Sequence, residues 1–464
     1  GNIFLRPFGL KNPITKKMGQ QQFFSTGDSE YFNGLINDQK GGTAGKDDFY
    51  CSRIDRPFFI AGSTLMAFRS GDPKYFLPVE MTPYYVGVPT RAKMISQTPI
   101  KTNTNSGVNT EIYREEIVLG GYVEPLAYDF SAPESGWLSK PEKRVIVKSK
   151  LKKYRFSLSD VLAATGAAPQ QTLHNLGPLG LLTKNLAFPE FIHWGVRDQK
   201  PSKSHVNDDG VRVKASVEHA HGDGGHLDNI GVMPLLARKV KNILVFVNTQ
   251  TPFSGEASPQ IYDNMISFYD LDRDGIYKSI YDKKPHNRIF EASSFNDLVS
   301  GLETQRKDGK PLVYCQKEIT ILENKRFNII DTEGYKPNIC WVYLNRTESW
   351  LKLIKANKSI TPETRRAIIK RTGEFKHFPH YWTFVNDLPK ITLIDKTNKQ
   401  VNLLANLTAW TLRESAATIG YEFNLSFDPK TPSNPLQGLC FKEPEKCTHD
   451  KSWPPQATKA LIIE

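Results

Sequence analysis

Hydrophobic and polar positions alternate most cleanly in VRVKASVEHAH (211–221). There Val211, Val213, Ala215 and Val217 fall on one side, and Arg212, Lys214, Ser216 and Glu218 on the other. A period of two predicts a half-buried strand. The glycine-rich turn that follows leads to a short helical stretch, GVMPLLARK. After it comes NILVFVNT (242–249), an uninterrupted apolar run of the kind seen in strands covered on both faces. Strand, tight turn, helix and strand predict a βαβ unit, with the turn at the carboxyl end of its first strand. In open α/β sheets that end is where ligands bind.

Upstream, RPFFIAGSTLMAF (56–68) reads as a buried strand, and FLPVEMTPYYVGVP (76–89) carries too many prolines for a regular helix. Residues 90–155 are turn-rich and partly alternating, which predicts a β-rich insertion. FSLSDVLAATGAAPQ (156–170) changes to a helical period, with Ser159 as the expected N-cap and small residues that allow close packing. Downstream, SSFNDLVSGLETQ (293–305), TPETRRAIIKRTG (361–373) and QVNLLANLTAWTLRESAATIG (400–420) read as helices. The second has Thr361 as N-cap, Pro362 at its first position and Gly373 as a stop. NICWVYLN (338–345) reads as a strand. No internal repeat or obvious linker interrupts the chain, so a single α/β domain over residues 1–464 is expected.

Composition narrows the class. The chain has 464 residues, 39% of them hydrophobic and 24% charged, as in globular proteins. No run approaches the roughly 18–20 apolar residues of a membrane-spanning helix. The net charge is +12, and KPEKRVIVKSKLKKYRF (140–156) is the densest basic run. It fits a solvated face or an anionic lipid surface. No zinc finger, RNP-type motif or KH-type loop supports nucleic acid as a partner. Five cysteines do not make a disulfide scaffold. Cys440 and Cys447 are close enough to bridge, Cys315 and Cys340 could bridge if their strands are neighbours, and Cys51 is left over. The sequons at Asn345, Asn357, Asn406 and Asn424 are at chance level for an asparagine-rich chain.

Candidate chemistry gathers in HAHGDGGHLDN (219–229). His219-x-His221-x-Asp223 resembles the start of a metal cluster, although His226 falls late for that pattern and two glycines intervene. On a strand the first two histidines share a face, which equally suits two hydrogen-bonded core histidines. The other reading centres on Asp223-Gly224-Gly225. An aspartate projecting from a turn at a strand end can take the proton of a serine hydroxyl from a neighbouring loop. The glycines would permit positive φ and close backbone approach. D-G-G is also common in turns with no chemistry.

The longer stretch HGDGGHLDNIGVMPLLARKVKNILVFV resembles the aspartate segment of the patatin-like phospholipases and the cytosolic phospholipase catalytic domain, in which D-G-G is followed by D-N-x-G, a P-L-L helix and an apolar strand. RPFFIAGSTL (56–65), PVEMTPYYVG (78–87), SLSDVLAATGAAP (157–169), FPHYWTF (378–384) and QVNLLANLTAW (400–410) resemble further family segments, so the likeness covers most of residues 50–415. It implies a three-layer α/β/α core with a central, mostly parallel sheet and β-rich insertions. It also implies a lipid acyl hydrolase using a Ser–Asp dyad, with no metal and no cofactor. Asp223 would be the base, Gly224 and Gly225 would shape its turn, and Asp228 and Asn229 would brace the next helix start. Implied partners are a lipid or phospholipid substrate and an anionic membrane surface, which the chain would meet peripherally.

The family's nucleophile lies in G-x-S-x-G, preceded by a glycine-rich oxyanion loop, and neither is found here. GDSEY (27–31) places Ser29 without the closing glycine and without an expected strand before it. Ser63 in IAGSTLM lacks a second glycine. GNIFLRPFGL reads as a start partway through a protein, so an N-terminal fragment carrying the serine is the expected partner. The alternatives are an inactive lipid-binding or structural protein on the same fold and, more distantly, a zinc-dependent hydrolase. Separately, YDLDRDGIY (269–277) sets Asp270, Asp272, Asp274 and Gly275 in calcium-loop order, with Tyr281 at the position of the usual glutamate and Asp282 after it.

Overall fold

The computed structural model describes residues 22–38, 49–52, 57–69, 73–104, 107–129, 155–167, 189–195, 205–206, 212–214, 216–228, 230–248, 252–253, 287–381, 384–387, 390–393 and 397–423. The calcium-type motif, Asn229, Cys440, Cys447 and most of the basic run lie outside them. The described residues fall into two compact units, the first running to Pro234 and including Lys325–Asn328.

The first unit opens with β1 (Phe23–Thr26), α1 (Ser29–Asp38) and β2 (Phe49–Ser52); β1 and β2 pair in parallel. Then follow β3 (Ala61–Met66), β4 (Phe76–Met81), β5 (Val86–Thr104), β6 (Gly107–Val123), α2 (Leu158–Thr165), β7 (Glu190–Trp194), β8 (His205–Val206), β9 (Arg212–Lys214) and β10 (Ser216–Asp223). These strands form an eight-stranded sheet in the order β7-β10-β3-β4-β5-β6-β9-β8. Every neighbouring pair is antiparallel except β6 and β9.

This overturns the expected α/β/α core with a central, mostly parallel sheet: the main sheet is antiparallel. The physical reason lies in the connections. A turn at Thr82–Tyr85, closed by Thr82 N–H on Tyr85 O, joins β4 to β5, and residues 105–106 alone separate β5 from β6. Connections this short can join only antiparallel neighbours. The expected βαβ unit fails for a related reason. Residues 212–214 and 216–223 are two different strands, and the strand at 242–247 belongs to another sheet.

The six strands from β7 to β6 curl until Gly120 of β6 bridges Gly195 just beyond β7, nearly closing a barrel. Gly120 and Gly121 sit at φ 121 and 98, and the β5–β6 register shifts between Val88 and Ala92. Bends of this sort at glycines and bulges let long strands curve. Leu65, Leu77, Val79, Ile117, Leu119 and Phe191 pack with Phe156, Val161 and Ala164 of the α2 segment. The N-cap of α2 is Ser157, two residues before the expected Ser159; the Asp160 carboxylate accepts from Ser157 N–H and Oγ–H.

The boundary between the units falls within α3 (Met233–Ala237). The second unit holds β11 (Asn242–Val247), α4 (Ala292–Lys307), β12 (Val313–Gln316), β13 (Asn338–Tyr343), α5 (Glu348–Ala356) and α6 (Pro362–Lys370). It ends with β14 (Phe384–Asp387), β15 (Lys390–Leu393), α7 (Asn398–Glu414) and α8 (Ala416–Glu422). Its main sheet has the order β11-β13-β12, with β11 parallel and β12 antiparallel to β13. Cys315 and Cys340 stand directly opposite each other on β12 and β13 and form a disulfide, as neighbouring strands allow. Thr361 caps α6 by accepting from Thr364 N–H, but the helix stops at Arg371 in the left-handed region, before Gly373. Among the described residues, no helix is long and apolar enough to cross a membrane.

Gly120 offers a direct check on the curved barrel. Its φ of 121 is strained for any L side chain, and a Cβ there would meet the Thr90 carbonyl. Gly120→Ala should lower stability by about 1–3 kcal/mol in urea unfolding; an unchanged midpoint would contradict the close β5–β6 approach.

Candidate functional site

Residues 219–228 supply the site, and the ladder positions them. Pairing of β10 with β7 runs from Ser216 opposite Trp194 to Ala220 opposite Glu190, and His221 N–H then donates to Pro189 O. Pairing with β3 continues further, from Ala220 opposite Met66 to Asp223 opposite Ser63. The last residues of β10 therefore have a strand on one side only. Side chains of β3 add to that hold: Thr64 Oγ1 donates to Asp223 O at 2.8 Å, and Ser63 Oγ donates to Gly222 O at 3.1 Å.

Asp223 is half-buried, and its Oδ1 accepts Gly225 N–H at 2.7 Å, capping the single 3₁₀ turn Gly224–His226. Burial pushes its carboxyl up to about 6, against the opposing pull of that N–H. Neither Gly224 nor Gly225 has the expected positive φ. Gly224 is needed for a different reason, because a Cβ there would lie 2.6 Å from Gly62 O. Asp228 accepts from Val232 N–H at 3.3 Å and Met233 N–H at 2.9 Å, at the start of α3; burial pushes its carboxyl up to about 6 as well. The position of Asn229 is outside the described residues.

The three residues of the metal reading do share a face, but they do not converge. By register, His219, His221 and Asp223 lie on one face with Phe191, His193, Ser63 and Leu65. His221 turns Nδ1 to Ser63 Oγ at 3.0 Å and Nε2 to His193 Nε2 at 2.8 Å. Tyr128 OH lies 2.9 Å from His193 Nε2 and 3.4 Å from His221 Nε2. The two imidazoles are nearly parallel, 19° apart, with centroids 5.1 Å apart. With so short an Nε2–Nε2 distance, this spacing means that they meet end to end in an N–H···N bond, which leaves no space for an ion between them. With Ser63 donating to Gly222 O, His221 Nδ1–H donates to Ser63, and His221 Nε2 accepts from His193. The Asp223 carboxylate instead accepts from Gly225 N–H. Among the described residues, no group of three or more His, Cys, Asp or Glu is arranged to hold a metal ion.

Burial lowers the titration of these imidazoles: His221 falls to about 3, His226 to about 4, and His193 well below its ordinary value. Neighbouring histidines add to the effect on His193 and His221. All three are neutral near pH 7. His226 folds back toward Gly222 and lies 6.1 Å from the Phe76 ring.

Sequence reasoning missed Thr64, Tyr128 and His193. The alternation in EFIHW (190–194) places Phe191 and His193 together on a buried face, but no pattern shows that this face meets His221. For Ser29 the structure adds β1 just upstream, contrary to expectation; the serine itself is exposed at the first position of α1. Comparison with protein families, curated proteins and solved structures finds no match for the chain.

The buried imidazoles link stability to pH. Folded His221 stays neutral down to about 3, whereas the unfolded chain takes up that proton near 6.5. The His221 contribution to stability is thus full above about 6.5 and declines as pH falls toward 3. Asp129, raised to about 7, acts in the opposite sense, as do Asp223 and Asp228, so a difference measurement isolates the histidine. The stability advantage of wild type over His221→Gln should shrink by up to about 1.4 kcal/mol per pH unit between pH 6 and 4. A gap that stays constant in urea unfolding across that window would contradict a buried neutral imidazole.

Proposed function

We propose that the chain is a lipid acyl hydrolase of the phospholipase, lipase or esterase type, in which Asp223 takes the proton of an attacking serine hydroxyl. The observation that carries this reading is the Asp223 carboxyl itself. It stands half-buried at the end of β10, and among the described residues its carboxylate accepts from Gly225 N–H alone. A carboxyl titrating near 6 is ionised at neutral pH, yet more basic than a solvated carboxylate. As the serine oxygen bonds to the ester carbonyl carbon, its proton passes to Asp223; collapse of the tetrahedral intermediate returns that proton to the departing alkoxide. Water repeats the cycle on the acyl-enzyme.

Asp223 does not stand at the mouth of a parallel sheet, since β10 pairs antiparallel with both of its neighbours. What supports Asp223 as base is the geometry of the turn and the resemblance of residues 221–247 to the phospholipase aspartate segment. Ser63 Oγ is engaged by Gly222 O and His221, so the nucleophile is sought elsewhere, on an upstream segment or separate chain. The substrate class follows from the resemblance, and the net charge of +12 favours an anionic lipid surface.

In the protein together with its nucleophile-bearing segment or chain, turnover of a fatty-acyl p-nitrophenyl ester should fall as pH drops below about 6, where the base form of Asp223 is lost. Asp223→Asn should reduce kcat by about 100-fold or more and leave the circular dichroism spectrum and urea midpoint near those of wild type at pH 7. Full turnover by a folded Asp223→Asn variant would remove the proposed base.

A further inference from the structure

β3 reads AGSTLM and is buried along most of its length, yet it carries adjacent hydroxyls at Ser63 and Thr64, 2% and 0% exposed. A buried hydroxyl is tolerated only where it is hydrogen-bonded, and valine or alanine would pack such a strand at lower cost. Both hydroxyls reach the end of β10, although Ser63 Oγ also lies 3.5 Å from the Ala164 carbonyl of α2. Successive residues of a strand point to opposite faces, so Ser63 and Thr64 grip the end of β10 from its two sides. Ser63 binds Gly222 O and His221 Nδ1, and Thr64 binds Asp223 O. Behind Ser63, His221 is tied through His193 to β7 and approached by Tyr128. These contacts cluster where the ladder to β7 has ended and the chain must turn through Gly224, packed on Gly62 O.

We infer that Thr64 and Ser63 are positioning residues, whose hydroxyls hold the main chain at the end of β10 and so fix the bearing of the Asp223 carboxyl. This rests on the proposed role of Asp223. Thr64 is the sharper case, because valine reproduces its β-branched shape and removes only the hydroxyl.

The test compares wild type, Thr64→Val, Thr64→Ser and Ser63→Ala, each in the full chain together with the segment or chain that supplies the nucleophile, by two readouts. One is the ¹³C-detected titration of the Asp223 carboxyl, assigned with Asp223→Asn; the other is steady-state ester hydrolysis. Thr64→Val is expected to move the Asp223 midpoint by at least about half a pH unit and to lower kcat by about 10- to 100-fold with KM little changed. Thr64→Ser should restore both. Should Thr64→Val fail to fold, Ser63→Ala carries the same comparison. A folded variant with the wild-type Asp223 midpoint overturns the inference. If wild type shows no ester turnover, the hydrolase reading fails while the carboxyl titration still decides the positioning.

Discussion

The end of β10 is the constraint on which the account depends. A strand in the middle of a sheet is held by two ladders, and β10 begins that way, between β7 and β3. The β7 ladder stops at Ala220, His221 N–H makes one last bond on that side to Pro189 O, and Gly222 and Asp223 lean on β3. A strand released on one side can fray, and a carboxyl at its tip would then have no defined direction. Here the released side is compensated by side chains. Two hydroxyls from β3 and an imidazole from β7 take over work that main-chain bonds do elsewhere.

That arrangement explains why so many polar groups sit in an otherwise apolar core. Tyr128 packs against Phe156, Phe191 and His193, in one cluster with Leu65 and Val161, and His221 lies against Phe191. Imidazoles so placed remain neutral because the surroundings disfavour charge, and a neutral imidazole can donate with one nitrogen and accept with the other. The pair links two strands without introducing a buried ion. The carboxyls of Asp223 and Asp228 lie nearer the turn and respond to burial in the opposite sense, each toward about 6. Asp228 meets peptide N–H groups at a helix start, whereas among the described residues Asp223 meets a single one.

Local signals were legible in the sequence; register was not. The Thr361-Pro362 start of α6 could be read directly, because a cap involves residues three apart. The N-cap of α2 was misplaced by two residues because Ser157 and Ser159 both suit the position, and only Asp160 turning back to Ser157 decides it. The alternation through 211–221 indicates extended chain, as found at 212–214 and 216–221, but conceals the change from β9 to β10, since a period of two continues across such a break. Sheet direction follows from the short joins at 82–85 and 105–106, whereas the strand–turn–helix–strand order of 211–249 suggests parallel pairing that these strands do not make with each other. In the site, D-G-G marked Asp223, and the requirement for glycine at 224 proved to come from Gly62 on a neighbouring strand. His193 and Thr64 depend on cross-strand neighbours far away in sequence, which one chain read alone does not disclose.

The most direct test of the central claim is the pH dependence of covalent labelling by a fluorophosphonate probe on the protein as isolated from its natural source. If Asp223 activates a serine, the labelling rate should rise with pH through a midpoint near 6, and Asp223→Asn should flatten and depress that profile. Labelling that is absent, or that keeps the same profile in the folded Asp223→Asn variant, would contradict the account.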